Sequence, residues 1–455
     1  MAFKRAHVKI SGAVRAAASA VGGKLHSANA PSHVAGSATP FSELKHKPLT
    51  HTIHGGRARA INLAAGAAAL PLEVLERASA EFVETDGSGM SVAEMGYRTK
   101  PFHRVMERAE SSLRELLSIP DTHEVHFFNG GATLQFSAIP LNLLGGVNEG
   151  KSANYLMSGH WSEKASNEAR MFGKVTGVAE DPKGLYFEIP SGNTWEMDKN
   201  AAYFHYTSAD TRQGLEIRNF DFDAVPAGMP ICCDASANLG SAPIDVSKYG
   251  VLYAASHKNF STAGVCYSII RRDLISERTQ MQAIPTMCNW VKFQNAPNKI
   301  YNVPVLVSIW IGALNTEWMI QRGGVAAFEE LAIKRSHLLY DAIDNSNGFY
   351  RTFVNSPDFR SRMQVVFTIK SGAGQDHDLV EKFLQRANDE LGWLDIRSHP
   401  LGVPSDAIRV TMYNHQTLDT VKVVRDFMHA FQKEHASATT YANFGMQDAR
   451  PAVQA

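Results

Sequence analysis

The sequence predicts an α/β fold built on a mostly parallel sheet, and three observations carry that prediction. Between residues 120 and 260, short apolar runs alternate with stretches of helical spacing. Several of these runs end in small or polar residues, as a strand does when it turns into a loop or helix. A second, smaller set of strand-like and helical stretches follows two long helical stretches nearer the C-terminus. The expected layout is a leader over 1–45, a large domain over 60–320, a smaller C-terminal α/β domain over 321–435 and a loose tail over 436–455.

Taken in order, residues 1–42 contain neither Asp nor Glu, but carry Lys4, Arg5, Lys9, Arg15 and Lys24 among many Ala and Ser. That is the composition of an organelle transit peptide; a secretory signal would need a compact apolar core. The mitochondrial matrix is the expected address, with plastid or cytoplasm as the alternatives. Gly, His and Pro persist to Arg59, so folded structure is expected from near Ile61. Pro71 opens a helix. Phe102, Val105, Met106, Leu113, Leu116 and Leu117 share one helical face. Strands are then expected over 125–128, 154–157, 203–206, 231–233 and 251–255, with helices over 133–144 and after Trp161. Residues 305–319 and 326–343 read as long helices. Residues 364–369 and 408–412 read as strands of the smaller domain, covered by a helix over 421–431. In the second strand Ile408, Val410 and Met412 share one face and Arg409 points to the other.

Composition narrows the function classes. The 455 residues are 44% hydrophobic and 20% charged, with 45 basic against 45 acidic side chains. A formal net charge of zero leaves no electrostatic footprint for nucleic acid or an anionic membrane. No apolar run reaches the ~18–20 residues a spanning helix needs. Cys232, Cys233, Cys266 and Cys288 lack metal-ligand spacing, so no metal site is expected and a reduced compartment fits best.

The chemistry centres on the run of residues 251–255, which ends in Ser256-His257-Lys258-Asn259. A lysine leaving a buried strand into a small-residue loop loses hydration and its amine pKa falls. It then becomes an imine-forming nucleophile toward an aldehyde cofactor such as pyridoxal phosphate. Other strand ends fit the same cofactor. Asn129-Gly130-Gly131-Ala132-Thr133 opens a helix whose free N–H groups suit a phosphate. Ser158-Gly159-His160-Trp161 places an indole where it could stack on a flat ring. Thr207-Ser208-Ala209-Asp210-Thr211 offers a hydroxyl for a ring oxygen. Asp234 follows Ile231-Cys232-Cys233, and a carboxylate at that buried edge needs a positive partner such as a protonated pyridine nitrogen.

These motifs, in this order, together with Gln135-Phe136, Ile244-Asp245-Val246-Ser247, Phe359-Arg360-Ser361-Arg362-Met363 and Met412-Tyr413-Asn414, resemble the phosphoserine aminotransferase family. That family belongs to the class-V, fold-type I pyridoxal-phosphate enzymes, and the resemblance runs from about Ile61 to Phe431. It implies a large domain with a mostly parallel seven-stranded sheet and a smaller C-terminal domain. It implies that Lys258 carries the cofactor and shuttles a proton, while Asp234 keeps the pyridine nitrogen protonated. Trp161 would stack on the ring, Thr211 would bond its phenolic oxygen, and Ala132, Thr133 and His257 would hold the phosphate. Asn302 would reach that phosphate from a second subunit, which makes a homodimer with shared active sites. Arg409 would bind the substrate α-carboxylate, and Arg98 and His399 the substrate phosphate.

The chain departs from the family in that last pocket. Gly96-Tyr97-Arg98 stands where Ser-His-Arg is usual, and Ser398-His399-Pro400 where Gly-His-Arg is usual. Arg397 could compensate for the arginine absent at Pro400. Asn302-Val303-Pro304 loses a hydroxyl for the cofactor phosphate, and His257 replaces a glutamine. The leading reading is transamination between L-glutamate and 3-phosphohydroxypyruvate. The alternatives are a class-V transaminase for an unphosphorylated 2-oxo acid, or a catalytically silent structural homologue. Retention of Lys258 and Asp234 argues against the silent homologue. A cysteine desulfurase is disfavoured because no cysteine follows Cys288.

Overall fold

The structure, a computed structural model, describes residues 59–436 apart from 182–183, 185, 372–373 and 392–406. The expected leader, the tail and the stretch containing Arg397, His399 and Pro400 lie outside the described residues.

The first helices are α1 (Leu72–Glu81) and α2 (Lys100–Leu117). Pro71 is the N-cap of α1 and lies just ahead of its first turn. Thr99 caps α2 by accepting the Phe102 amide at 3.4 Å. The central sheet is laid down by β1 (His123–Asn129), α3 (Gly131–Leu143), β2 (Ser152–Leu156), α4 (His160–Ala169), β3 (Lys174–Val178) and β4 (Phe204–Thr207). A short hairpin of β5 (Ala209–Asp210) and β6 (Leu215–Glu216) precedes β7 (Ile231–Asp234), β8 (Val251–Ala255) and β9 (Val265–Arg271). The spatial order is β1-β9-β8-β7-β4-β2-β3. β3, β2, β4, β7 and β8 pair in parallel, and β9 runs antiparallel to both β8 and β1. The carboxyl ends of β1, β2, β4, β7 and β8 therefore lie on one edge, where ligands sit in such sheets.

The parallel strands are covered on both faces, which is why β2, β7 and β8 read as continuous buried runs. Cys232 and Cys233 show both faces at once, since they join two different apolar clusters. All four cysteines are buried and unpaired.

The chain continues through α5 (Trp290–Gln294), α6 (Leu306–Gln321) and α7 (Gly324–Asp344) to a second sheet. Its strands are β10 (Tyr350–Thr352), β11 (Gln364–Ser371), β12 (Gly374–Gln375) and β13 (Ile408–Thr411), all paired antiparallel. Helices α8 (His377–Leu391) and α9 (Leu418–His435) complete this unit. Its core holds Val365, Phe367, Val410, Phe383 and Phe427, and Leu63 from the start of the described chain joins it. Among the described residues no helix is long and apolar enough to cross a membrane, and no His, Cys, Asp and Glu group could hold a metal.

Helix α6 lies so close to the central sheet that a Cβ at Gly312 would collide with the Tyr267 hydroxyl on β9. Overpacking of this kind costs about 1–3 kcal/mol. Gly312→Ala should therefore unfold at a lower urea concentration than the wild type. Coincident unfolding curves would show that the two elements are free to separate.

Candidate active site

Five strand ends build one site. β1 runs into Gly130 and Gly131, at φ +102° and +66°, which open α3 in left-handed conformations that glycine adopts without strain. No side chain caps α3, so its first-turn amides keep their hydrogen-bonding capacity, and Thr133 stands exposed beside them. That is an anion site by construction. The Gly130 amide donates to the Gly264 carbonyl at 3.1 Å, which ties this loop to the end of the one carrying Lys258.

Lys258 follows β8 and is only 9% exposed. Burial holds its amine below the ordinary lysine range and nearby Arg409 adds to that, while Asp234 and Asp210 oppose it. The next residue anchors it: Asn259 donates to the Leu239 carbonyl at 3.0 Å and accepts the Asn414 amide at 3.0 Å. Asp234 ends the adjoining β7 and is 4% exposed. Burial raises its pKa above the usual carboxylate range, with Lys258 and the Ser236 donors opposing.

Trp161 lies in the first turn of α4, with its ring centre 5.6 Å from Lys258 Nζ. It is only partly buried, so it belongs to the rim of the site and not to the core. Thr211 joins the remaining groups. Its Oγ1 accepts Trp161 Nε1–H at 3.1 Å, and its carbonyl accepts from the Arg409 guanidinium at 3.2 Å. Arg409 comes from the second sheet, so the site lies between the two units.

Asp210 organises these loops, a role the sequence did not signal although the residue stands inside a recognised motif. It is 1% exposed and accepts the backbone amides of Trp161 at 3.3 Å, Arg212 at 2.8 Å and Gln213 at 3.2 Å. A Cβ on Gly159, whose φ is +143°, would come 2.5 Å from that carboxylate, which explains the glycine before His160. Asn259 was likewise unassigned. Each ties a backbone group of a distant segment to its own loop, Trp161 for Asp210 and Leu239 and Asn414 for Asn259, which no local pattern displays.

The structure thus brings together Lys258, Asp234, Trp161, Thr211 and Arg409. His257 packs beside them, its ring against Gly66 and its carbonyl accepting the Ala68 amide at 2.9 Å. Burial, then Lys258, lowers its pKa and keeps the imidazole neutral. Ala132 and Thr133 sit at the start of α3. Arg98 and Asn302 are exposed on other loops of the same chain and hydrogen-bond to none of these groups. The Arg98 guanidinium lies 5.0 Å from the Tyr97 ring centre. His399 is outside the described residues.

An uncapped helix start, a flat indole, and a buried amine and carboxylate on neighbouring strand ends fit pyridoxal phosphate. Phosphate, ring, aldehyde and pyridine nitrogen each find a chemically suitable partner.

Comparison with known proteins agrees with this geometry. Residues 60–423 match the family model described as aminotransferase class-V. The chain is 38% identical over 377 residues to a phosphoserine aminotransferase of Drosophila melanogaster, covering 82% of this chain and 99% of that protein. It is 39% identical over 379 residues to one of Pseudomonas fluorescens, covering 83% and 99%. The solved phosphoserine aminotransferase of Bacillus circulans subsp. alkalophilus superposes with a TM-score of 0.76 at 34% identity, covering 83% of this chain and 99% of that one. A pyridoxal-phosphate-bound phosphoserine aminotransferase of Trichomonas vaginalis gives 0.74 at 34% identity, covering 82% and 100%.

Proposed function

Because the chain belongs to the class-V aminotransferase family and to its phosphoserine aminotransferases, we propose that it transfers the amino group of L-glutamate to 3-phosphohydroxypyruvate. The products are O-phospho-L-serine and 2-oxoglutarate, a step of serine biosynthesis. The enzyme uses pyridoxal phosphate, which supplies an electron sink for the pair released at the substrate α-carbon. The observation that carries the reading is the pairing of Lys258 with Asp234, buried on adjoining strand ends beside Trp161.

Each residue then has a task. Lys258 Nζ would hold the cofactor through its aldehyde and, once released, would carry a proton at the substrate α-carbon. Burial lowers its pKa and so favours the uncharged amine that can accept a proton. Asp234 holds a proton at the pyridine nitrogen by charge. Trp161 orients the ring and shields it from water, and Thr211 donates to the phenolic oxygen. Ala132, Thr133 and His257 hold the cofactor phosphate. Arg409 binds the α-carboxylate by a charge-assisted pair.

Arg98 and Asn302 act, in this reading, in the site of a second copy. Ile300 and Tyr97 pack on one apolar cluster, and beside them Tyr301, Val303 and Val305 are exposed. An exposed apolar loop of this kind suits self-association. A fully active monomer in sedimentation analysis would overturn the homodimer. We also propose that the acid-free residues up to about 45 address the chain to an organelle, with the mitochondrial matrix first. N-terminal sequencing of protein isolated from its source tests this, and a mature chain starting at Met1 or Ala2 would refute it.

The acceptor is tested with purified enzyme and L-glutamate. The expected kcat/KM for 3-phosphohydroxypyruvate exceeds those for pyruvate and glyoxylate by at least about tenfold to a hundredfold, the contribution of one charged hydrogen-bonding group. If an unphosphorylated 2-oxo acid is preferred, the phosphoserine assignment fails and the wider aminotransferase reading stands.

A further inference from the structure

We propose that Asn259, Asn315 and Asn414 form a positioning network that fixes Lys258, Asp234 and Arg409 relative to one another, with Asn259 as its hub. The proposal rests on the transamination read above. It goes beyond the anchoring of one loop, because those three groups stand on three separate segments of the chain.

The segments meet at the asparagines. Asn259 directly follows Lys258, and its side chain donates to the Leu239 carbonyl at 3.0 Å while accepting the Asn414 amide at 3.0 Å. Leu239 lies on the loop that follows Asp234 and β7. Asn414 lies just beyond β13, the strand that carries Arg409. Its side chain donates to the Gly240 carbonyl at 2.7 Å, which closes a triangle. Each of the three segments is thus bonded directly to the other two. Asn315, on α6, donates to the Asn259 and Phe260 carbonyls at 2.8 and 2.9 Å, so the hub is held by its backbone as well as its side chain.

The corners of the triangle are themselves tied down. Ser236 donates its amide to the Asp234 carboxylate at 2.9 Å and accepts the Ala255 amide, at the end of β8, at 2.9 Å. Arg335, on α7, donates to the carbonyls of Tyr413 and Gln416, on either side of Asn414, at 3.0 and 2.5 Å.

The polarity of the cluster points to placement as its task. All three asparagines are buried, and Oδ1 of Asn315 and of Asn414 has no hydrogen-bond partner in the protein. A buried polar network with open acceptors is less stabilising than an apolar core of the same volume. Stability alone therefore does not account for it. Hydrogen bonds are directional and fix a separation, where apolar surfaces can slide. The reaction needs such a fixed separation. Arg409 belongs to the second sheet and Lys258 to the first, yet the base must face the α-carbon of a substrate held by that arginine. A misplacement of about 1 Å costs on the order of a hundredfold in rate.

The test follows the half-reaction of the purified holoenzyme with L-glutamate through the absorbance of the cofactor, with rates expressed per bound cofactor. In Asn259→Ala the limiting rate should fall about tenfold to a hundredfold. The apparent Kd for L-glutamate should change less than about threefold, since the arginine itself is untouched. In that variant α-deuterated L-glutamate should react several-fold more slowly than the protiated substrate. Asn414→Ala, which removes one side of the triangle and keeps the Asn414 amide, should show a smaller loss of the same kind. The double variant should be slower than Asn259→Ala by less than the factor that Asn414→Ala shows alone, because the two act as one link. Limiting rates within about twofold of wild type in both single variants would overturn the network. A loss confined to Kd, or one with no isotope effect, would also overturn it. A wild type inert toward L-glutamate would overturn the donor assignment instead, and the same losses with L-alanine as donor would then support the network.

Discussion

Lys258→Ala is expected to abolish turnover, with a fall of at least about 10⁴-fold in kcat. A positioned acid–base group contributes about 10²–10⁴-fold, and this side chain also supplies the covalent hold on the cofactor. Nothing nearby can replace it. His257 cannot form an imine and has its ring packed against Gly66, and Arg409 bonds the Thr211 carbonyl and does not deprotonate. Treatment with borohydride should fix the cofactor to the wild-type chain and leave the variant unlabelled in the mass spectrum. Lys258→Arg should fail in the same way, since a guanidinium keeps the charge but cannot act as a base. Circular dichroism separates chemistry from folding, and both variants should keep the wild-type spectrum. Turnover above about a hundredth of wild type in Lys258→Ala would remove the residue from the mechanism.

Asp234→Asn should lower kcat by about 10²–10³-fold, the usual effect of deleting one preorganised electrostatic group. The substitution keeps shape and volume and removes only charge. Its carboxylate is buried at the end of β7, where desolvation raises its pKa, so an unpaired charge there is costly. A protonated pyridine nitrogen removes that cost by pairing with it. The asparagine leaves the nitrogen without a reason to stay protonated, and the electron sink weakens. The absorbance of bound cofactor should shift, and Asp234→Glu should recover part of the rate. Activity within tenfold of wild type in Asp234→Asn would mean that the ring nitrogen needs no counter-charge.

Most of the large sheet was legible because its strands are buried on both faces and end in loop residues. β2, β4, β7 and β8 each appear as a short apolar run, and four of the five grouped residues stand at or beyond their carboxyl ends. β3 escaped because Lys174, Thr176 and Gly177 give it a polar, half-exposed edge character. β9 escaped because it returns antiparallel through the lysine loop, with no helix between to mark a crossover. Arg409 was legible as a lone charge on an apolar strand. Asp210 and Asn259 were not, since the contacts that matter reach Trp161 in one case and Leu239 and Asn414 in the other, far away in the chain. Arg98 and Asn302 are exposed in one chain, and their assignment came from resemblance alone.

The start of the described chain has a bearing on how the protein is made. The Ala65 carbonyl accepts from the Tyr413 hydroxyl across 348 residues of sequence, and the Asn62 carbonyl accepts from the Gln416 side chain across 354. The same strap delivers the Ala68 amide to the His257 carbonyl, next to the lysine. During synthesis the strap leaves the ribosome early, and its partners at 413 and 416 leave late. Contacts of such long range form only after most of the chain-entropy cost of closure has been met. The loop bearing Lys258 therefore cannot take its final support until the C-terminal unit has emerged and docked. A nascent chain stalled before residue 410 should hold a folded central sheet and yet retain little cofactor, with release of the full chain restoring it.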